Sequence, residues 1–295
     1  MELQQLRYVL AVAEHRNFTR AASACFVVQS ALSHQVAKLE AELGVALFAR
    51  TSRRVEVTVA GAAFLPWARQ ALDAAERAAT EARAAEGIVA GPLTIGLIPT
   101  MTALDLPRFI TKMRDTYPEV SVKLRIVGSD ESIAGVRDGK LDLALIGLAD
   151  GIAPQGVAHE LIASETLVAV LPQGHRLANR SALTLADLAD EPFADFAVGG
   201  PGRAQSDRAF AAAGLGRTVP YEASTPELIC SLVEAGLCVA LLSQAVVQNH
   251  GVRTVEVTDG PRRNQHLIWN GFDPTPTAQA ALGIALRSGG EHTTQ

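Results

Sequence analysis

The spacing of apolar positions changes twice along the chain, and those changes divide it into three parts. Leu6, Val9, Leu10 and Ala13 recur at helical intervals and predict a first helix of about three turns. Asn17 suits an N-cap, and Phe18, Ala21 and Ala22 lie on the inner side of a short second helix. A third helix follows, in which Leu32, Val36, Leu39 and Leu43 form an i, i+4, i+7, i+11 stripe facing inward, with Gly44 as its stop. The opposite side carries Ser30, His34, Ala37 and Lys38, with Ser33 on the flank and Gln29 at the start. Leu47 and Phe48 close a small core, Arg53 and Arg54 sit at a turn, and Val55 and Val57 alternate with polar residues as in a strand.

From about Val59 to Glu86 the chain becomes rich in Ala, Glu and Arg. Leu65, Ala68, Leu72, Ala75, Ala79 and Ala82 alternate spacings of three and four, a heptad seam on a helix about 28 residues and ~40 Å long. Pro66 falls in its early turns, where it removes a hydrogen bond or bends the axis. Alanines allow close approach but bury little area, so the seam by itself predicts a weak dimer; a solvated spacer is the plainer reading. Gly87, Gly91 and Pro92 mark a hinge.

Beyond the hinge, strands alternate with helices. Leu93 to Ile98, Val120 to Val127 and Leu141 to Ile146 read as strands, separated by helices through Leu106–Met113 and Ile133–Arg137. Further strands are expected at Leu167–Leu171, Phe193–Val198, near Val219, at Cys238–Leu242 and at Gln265–Phe272. Helices are expected near Leu185, over Ala204–Ala213, Pro226–Ala235 and Thr277–Leu286, the last returning to the first strands. Successive βαβ units imply an α/β domain with a mostly parallel sheet. Ser288 to Gln295 are small and polar and read as a frayed end.

Composition adds less than pattern does. The chain has 295 residues, enough for two or three domains, with 48% hydrophobic and 19% charged residues. No apolar run reaches the ~20 residues of a membrane span, and the start lacks a secretory pattern, so the cytoplasm is the expected location and no membrane partner is expected. The net charge of −5 argues against nucleic acid until its distribution is seen. Residues 1–60 carry Arg7, Arg16, Arg20, Lys38, Arg50, Arg53 and Arg54 against Glu2, Glu14, Glu40, Glu42 and Glu56. A mildly basic head on an acidic body fits a DNA-binding module joined to a small-molecule domain.

The outward face of the third helix fits that partner. Its short polar side chains would let the helix enter a major groove, with Gln29 facing an adenine edge and Ala37 a thymine methyl. An arginine-tipped wing would ride the phosphates beside it.

Residues 1–65 resemble the DNA-binding head of the LysR-type transcriptional regulators. The matching stretches are Leu6-Arg7-Tyr8, Phe18-Thr19-Arg20-Ala21-Ala22, Gln29-Ser30-Ala31-Leu32-Ser33, Leu39-Glu40-Ala41-Glu42-Leu43-Gly44, Leu47-Phe48-Ala49-Arg50 and the Arg53-Arg54 wing. The remainder resembles the family's two-lobed effector domain, akin to type 2 periplasmic binding proteins, through Tyr117-Pro118-Glu119-Val120, Gly139-Lys140-Leu141-Asp142-Leu143-Ala144 and Val233-Glu234-Ala235-Gly236-Leu237. The resemblance implies an all-α winged helix-turn-helix over 1–60, a linker helix for dimerisation over 61–88, and an effector domain over 89–295. Its first lobe would cover about 91–162 and 266–288, and its second about 163–265. It implies double-stranded operator DNA as partner, contacted by Thr19, Gln29, Ser30, Ser33, His34, Lys38, Arg50, Arg53 and Arg54. It also implies a dimer through the linker and a homotetramer through the effector domains.

Three positions depart from the family pattern. Val28 stands where a serine commonly caps the third helix, a loss of ~1 kcal/mol. Ser30 replaces a common proline, and His34 replaces a frequent arginine, exchanging a permanent cation for an imidazole.

Ligands of open α/β folds bind beyond the carboxyl ends of strands, between lobes. Three stretches meet that description: Pro99-Thr100-Met101-Thr102; Gly128-Ser129-Asp130; and Phe196 to Gly200, including Val198 and Gly199, together with Ser224-Thr225. In the resembled family, the positions of Thr100 and Ser129 commonly contact the effector. Hydroxyls and helix starts would accept a small carboxylate; the plainer role for Thr100, Ser129 and Thr225 is helix capping. Arg203 reads as a solvated arginine that could lend charge.

Catalysis is not expected: Gly199-Gly200-Pro201-Gly202 lacks the Lys-Ser/Thr of a phosphate loop, and the histidines are scattered. No cofactor and no metal are expected. Cys25, Cys230 and Cys238 have neither metal spacing nor disulfide density. The alternative to metabolite sensing is a redox sensor built on Cys230 and Cys238, weighed against simple packing of two buried thiols.

Overall fold

Capping chemistry sets where the N-terminal helices begin. Helix α1 (Leu3–His15) starts after Glu2, whose backbone N–H donates to the Gln5 side chain at 2.9 Å. Helix α2 (Phe18–Ala24) starts after Asn17, whose side chain accepts the Arg20 N–H at 2.9 Å. Helix α3 (Gln29–Leu43) follows Val28, which makes no side-chain cap bond. Leu32, Val36 and Leu39 are fully buried, but Leu43 is 38% exposed. The inward stripe therefore ends a turn early, because the chain leaves the helix at Gly44 and Leu47 fills the core beyond it.

Glu40 ties that corner down. Its Oε1 accepts the N–H groups of Leu47 at 2.8 Å and Phe48 at 3.1 Å, fixing the start of strand β1 (Phe48–Arg50). Strand β1 pairs antiparallel with β2 (Val55–Val57), Phe48 opposite Val57. A computed structural model of the chain describes residues 1–50 and 55–289, and these fall into two units, Met1–Gly87 and the chain from Ile88 on.

Helix α4 (Val59–Ala85) begins at Thr58, whose hydroxyl accepts the Gly61 N–H at 2.9 Å and donates to the Ala46 carbonyl at 2.7 Å. A Cβ on Gly61 would lie 2.2 Å from the Leu47 carbonyl oxygen, so only glycine allows this approach. Part of the expected seam is spent inside this unit. Ala68 is buried, and Leu65 and Leu72 pack with Phe64 and Ala71 against the core of Leu6, Val9, Val12, Leu32 and Val36. An amphipathic helix uses its longest apolar side chains where a core is available, and here the head offers one. Ala79 and Ala82 remain exposed.

The second unit contains two lobes. In the first, β3 (Gly91–Leu97), α5 (Leu106–Thr116), β4 (Val120–Ile126), α6 (Ser129–Arg137) and β5 (Leu143–Ala149) follow in order, then β6 (Ala158–Thr166). In the second come β7 (Val168–Leu171), β8 (Ala182–Leu183), α7 (Leu185–Leu188), β9 (Pro192–Asp195), α8 (Pro201–Ala212), β10 (Thr218–Glu222), α9 (Pro226–Glu234), β11 (Ala240–Leu242), α10 (Gln244–Val247) and β12 (Arg253–Val257). Strand β13 (Arg262–Trp269) and helix α11 (Pro276–Gly289) return to the first lobe.

The first-lobe sheet has the order β4-β3-β5-β13-β6, with β3 parallel to β4 and β5. Strand β13 is antiparallel to both β5 and β6, so the mostly parallel sheet expected from the sequence is mixed. The cause is the return path, since β13 enters the lobe from the opposite end. Strand β5 is buried along nearly its whole length, as a central strand covered on both faces must be. Leu267, Ala281 and Ile284 belong to the core on one face, and Val136, Ile146 and Ile268 to that on the other. The second lobe joins a β11-β7-β12-β8 sheet to a parallel β9–β10 pair.

Two crossings connect the lobes, at Thr166–Leu167 and Pro261–Arg262, where the Leu167 N–H donates to the Pro261 carbonyl at 2.9 Å. Both lie a few residues from the lobe boundaries expected from the sequence, because β6 and β13 extend farther as first-lobe strands. Strands β6 and β12 were not expected, and β13 starts at Arg262 rather than Gln265. The frayed end expected from Ser288 falls largely outside the described residues.

Candidate functional site

On the first unit, Gln29, Ser30, His34, Ala37 and Lys38 are exposed together on one side of α3, with Ser33 half-buried beside them. Thr19 is exposed on α2. Lys38 Nζ lies 3.6 Å from the Glu2 carboxylate, an exposed and therefore weak pair. Arg53, Arg54 and the side chain of Arg50 lie outside the described residues. In the turn between α2 and α3, Phe26 is 95% exposed with φ at 56°, a left-handed conformation that a bulky residue seldom adopts.

In the second unit a cavity of about 700 Å³ opens between the lobes. Strand geometry positions its walls: Ile98, Pro99 and Thr100 follow β3; Val127, Gly128 and Ser129 follow β4; Phe196 and Ala197 follow β9; Ala223 and Ser224 follow β10. These are carboxyl ends of parallel strands, where neighbouring loops part and leave a crevice. Two helix starts also reach it, α6 at Gly128–Ser129 and α8 at Gly200 and Gly202. A Cβ on Gly202 would meet the Phe196 ring at 2.9 Å, so glycine lets the ring lie against the first turn of α8.

Of the residues singled out in the sequence, Pro99, Thr100, Ser129, Phe196 and Ser224 line the cavity. Met101, Thr102, Val198, Gly199 and Thr225 are absent from its lining. Met101 packs on the first-lobe core, and Val198 is 71% exposed. The Thr102 hydroxyl accepts from Gln265 Nε2 at 2.7 Å. The Thr225 hydroxyl accepts the Leu228 N–H and caps α9. The Ser129 hydroxyl donates to the Gly147 carbonyl at 2.9 Å and accepts the Gly147 N–H at 3.2 Å, so its proton is already used.

Arg263, which sequence reasoning missed, lines the cavity from β13 and is 4% exposed. Its guanidinium donates to the Thr100 hydroxyl, to the Thr100 carbonyl at 3.0 Å and to Glu165, with Nε–Oε1 at 2.9 Å. Gln265 Nε2 donates to the same Glu165 oxygen at 2.7 Å, and the Ser243 hydroxyl donates to the other. The available signal was faint: Arg263 and Gln265 are two apart and so share a face of the strand, but they sit in a run, Arg262 to His266, that is polar throughout.

A second network borders the cavity on the other lobe. Arg217, 3% exposed, donates to Asp195 at 2.6 Å and Asp207 at 2.7 Å and stacks on Phe193 and Phe210 at 5.1 and 5.4 Å. Arg203 is not solvated, contrary to expectation: it is 12% exposed and reaches Asp207 at 3.1 Å and Glu222 at 3.5 Å. Burial raises the Asp195 carboxyl above its ordinary value, against the pull of Arg217. Burial also acts to raise Asp207, but hydrogen bonds from Arg217 and Arg203 outweigh it and hold that carboxyl low.

Cys230 and Cys238 are buried and unbridged within one apolar cluster. Burial pushes each thiol up to about 11, helped at Cys230 by Glu234 and Glu227. Among the described residues no cluster of three or more His, Cys, Asp or Glu could hold a metal, and no helix is long and apolar enough to cross a membrane.

Comparison with known proteins covers both units. Residues 3–62 match the model of the bacterial regulatory helix-turn-helix protein, lysR family, and residues 86–289 match that of the LysR substrate binding domain. The chain is 31% identical to the DNA-binding transcriptional dual regulator OxyR of Escherichia coli K12, across 98% of this chain and 95% of that protein. Among solved structures it resembles CbnR complexed with its target DNA, with a TM-score of 0.74 and 25% identity over 98% of this chain and 100% of that one. It also resembles a hydrogen-peroxide-bound OxyR variant from Corynebacterium glutamicum, with a TM-score of 0.55 and 28% identity over 98% and 94% of the two chains.

Proposed function

The chain belongs to the LysR family of DNA-binding transcription regulators, which are not enzymes, and from that premise we propose how this member reads DNA and senses its signal. Helix α3 enters a major groove with Gln29, Ser30, Ser33, His34 and Lys38 toward the bases and phosphates. Thr19 and the wing residues Arg50, Arg53 and Arg54 hold the backbone. Two chains pair through the part of α4 not used by the head, the effector domains complete a homotetramer, and the protein acts in the cytoplasm.

The effector is a small carboxylate-bearing metabolite held between the lobes near Pro99, Thr100, Ser129, Phe196 and Ser224. The single observation that carries this reading is the cavity itself. At about 700 Å³ it fits a small metabolite, and two helix N-termini open onto it, where unpaired N–H groups favour an anion. Met101, Thr102, Val198, Gly199 and Thr225, read from the sequence as further contacts, do not line this cavity and are left out of the proposed contact set.

Similarity to OxyR, including a peroxide-bound form, favours a second reading in which Cys230 and Cys238 sense oxidant. The raised thiols weigh against it. At about 11 each, roughly one thiol in 10⁴ would be a thiolate at neutral pH. Thermal denaturation of the full chain with a panel of small carboxylates tests the metabolite reading, since a ligand of the native state must raise the midpoint. Operator footprinting after peroxide treatment tests the other. A Cys230–Cys238 bridge that alters the footprint, with no carboxylate shifting the midpoint, would replace the first reading by the second.

A further inference from the structure

Gln205, in the second turn of α8, is 4% exposed and lines the interlobe cavity. Its side-chain amide has no hydrogen-bond partner among the described residues. A side chain otherwise enclosed by protein whose amide reaches the cavity with no protein partner offers a donor and an acceptor to a group brought by a ligand.

Charge around the same cavity is unbalanced. On the second lobe, Arg203 and Arg217 face three carboxylates: Asp195, Asp207 and Glu222. Glu222 lines the cavity and receives only the 3.5 Å contact from Arg203, which is bonded more closely to Asp207. On the first lobe, Glu131 lines the cavity with no cation beside it among the described residues. Arg263 offers no compensation, because Glu165 and Thr100 occupy its guanidinium. The start of α6 favours Glu131 as an acid in a first helical turn. That same helix start is where a ligand carboxylate would sit, so a plain acid entering there meets Glu131 as a like charge.

We propose that the effector is a zwitterion, with an amine that sits against Glu222 and Glu131, a hydrogen-bonding group that meets Gln205, and a carboxylate at the helix starts. The proposal rests on the carboxylate reading above and narrows it to amine-bearing acids such as α-amino acids. Glu222 and Glu131 are both exposed, and an ammonium meeting them forms charge-assisted bonds that neither a 2-oxo acid nor a hydroxy acid can supply. A 2-oxo acid would instead bring only negative charge to these carboxylates.

Calorimetric titration of the full-length protein with L-amino acids, the matching 2-oxo acids and the matching decarboxylated amines tests this. At least one amino acid is expected to bind, with its 2-oxo acid about tenfold or more weaker. Glu222→Gln and Glu131→Gln should each weaken that amino acid by about tenfold while leaving the oxo acid unchanged or improved. Gln205→Ala should weaken the amino acid, with the unliganded melting temperature serving as the check on folding. An oxo acid that binds as tightly as its amino acid overturns the zwitterion and leaves the carboxylate reading standing. Unchanged amino-acid affinity in both glutamine variants does the same. Amines that bind as well as amino acids overturn both readings, as does a panel in which nothing binds.

Discussion

Arg263 and Glu165 stand directly opposite each other on β13 and β6, the two strands that carry the chain between the lobes, and their side chains are bonded at that crossing. Each has a second tie, Arg263 to the Thr100 loop at the cavity wall and Glu165 to Ser243 of the other lobe. The pair thus joins three segments at the place where any lobe movement must bend.

Removing Arg263 leaves the half-buried Glu165 without its cation, with only the neutral Gln265 and Ser243 donating to it. Arg263→Met is expected to lower the unfolding free energy by about 3 kcal/mol, measured by urea denaturation. The Arg263→Met/Glu165→Gln double variant should lose clearly less than the sum of the two single losses. Additive losses would mean that the two charges do not stabilise one another.

Lys38 is held at 3.6 Å by Glu2, on the edge of the surface proposed to face DNA. Glu2→Gln keeps a polar residue at the start of α1 while freeing the lysine and removing a charge that repels phosphate. Operator affinity should rise about threefold at low salt, read by fluorescence anisotropy, and the gain should shrink as salt increases. A gain independent of salt would contradict the electrostatic account.

Phe26 holds φ at 56° with its ring in solvent, so its backbone strain is not offset by packing. Phe26→Asn should raise thermal stability by about 1 kcal/mol, since asparagine tolerates this conformation. A measured loss of stability would show that the ring makes a contact in the assembled protein.

His266 belongs to β13, within the first-lobe sheet; both its ring nitrogens lack a partner among the described residues, and its ring meets that of His159 edge-on at 5.5 Å. Burial, and secondarily His159, lower this imidazole below 6.5. The unfolded chain therefore takes up the proton first, so the contribution to stability is present above about pH 6.5 and is lost on acidification through the lowered folded value. His266→Leu should flatten the decline below pH 6.5 and raise stability at pH 7 by about 1 kcal/mol. Denaturation curves across that range supply the measurement, and parallel declines in variant and parent would refute it.

Local chemistry made much of this molecule legible. Asn17, Gly44 and the helically spaced apolar positions of α3 specify their elements within a few residues of chain, and the structure follows them except at Leu43. Strand β6 was hidden because it is an edge strand whose residues, from His159 to Glu165, mix polar and apolar positions without strict alternation. Strand β12 did carry a signal, Val255 and Val257 between polar neighbours, but only five residues of it. At the candidate site, loops after strands could be named from position alone. Arg263 could not, since its partners Glu165 and Thr100 lie 98 and 163 residues away and only the return of β13 brings them together. Thr102 and Thr225 stand off the cavity lining, one bonded to Gln265 and the other capping α9, a placement that loop position alone does not reveal.

The docking of Leu65, Ala68 and Leu72 on the head has a mechanical consequence. The near half of α4 is welded to the core of the head, so the far half serves as a shaft whose length sets angular phase. Each residue added there would turn the shaft by ~100° and advance it by ~1.5 Å. Removing a full heptad between Ala75 and Ala85 should shorten the reach by ~10 Å and nearly preserve phase, whereas removing a single residue should point the head away from its half-site.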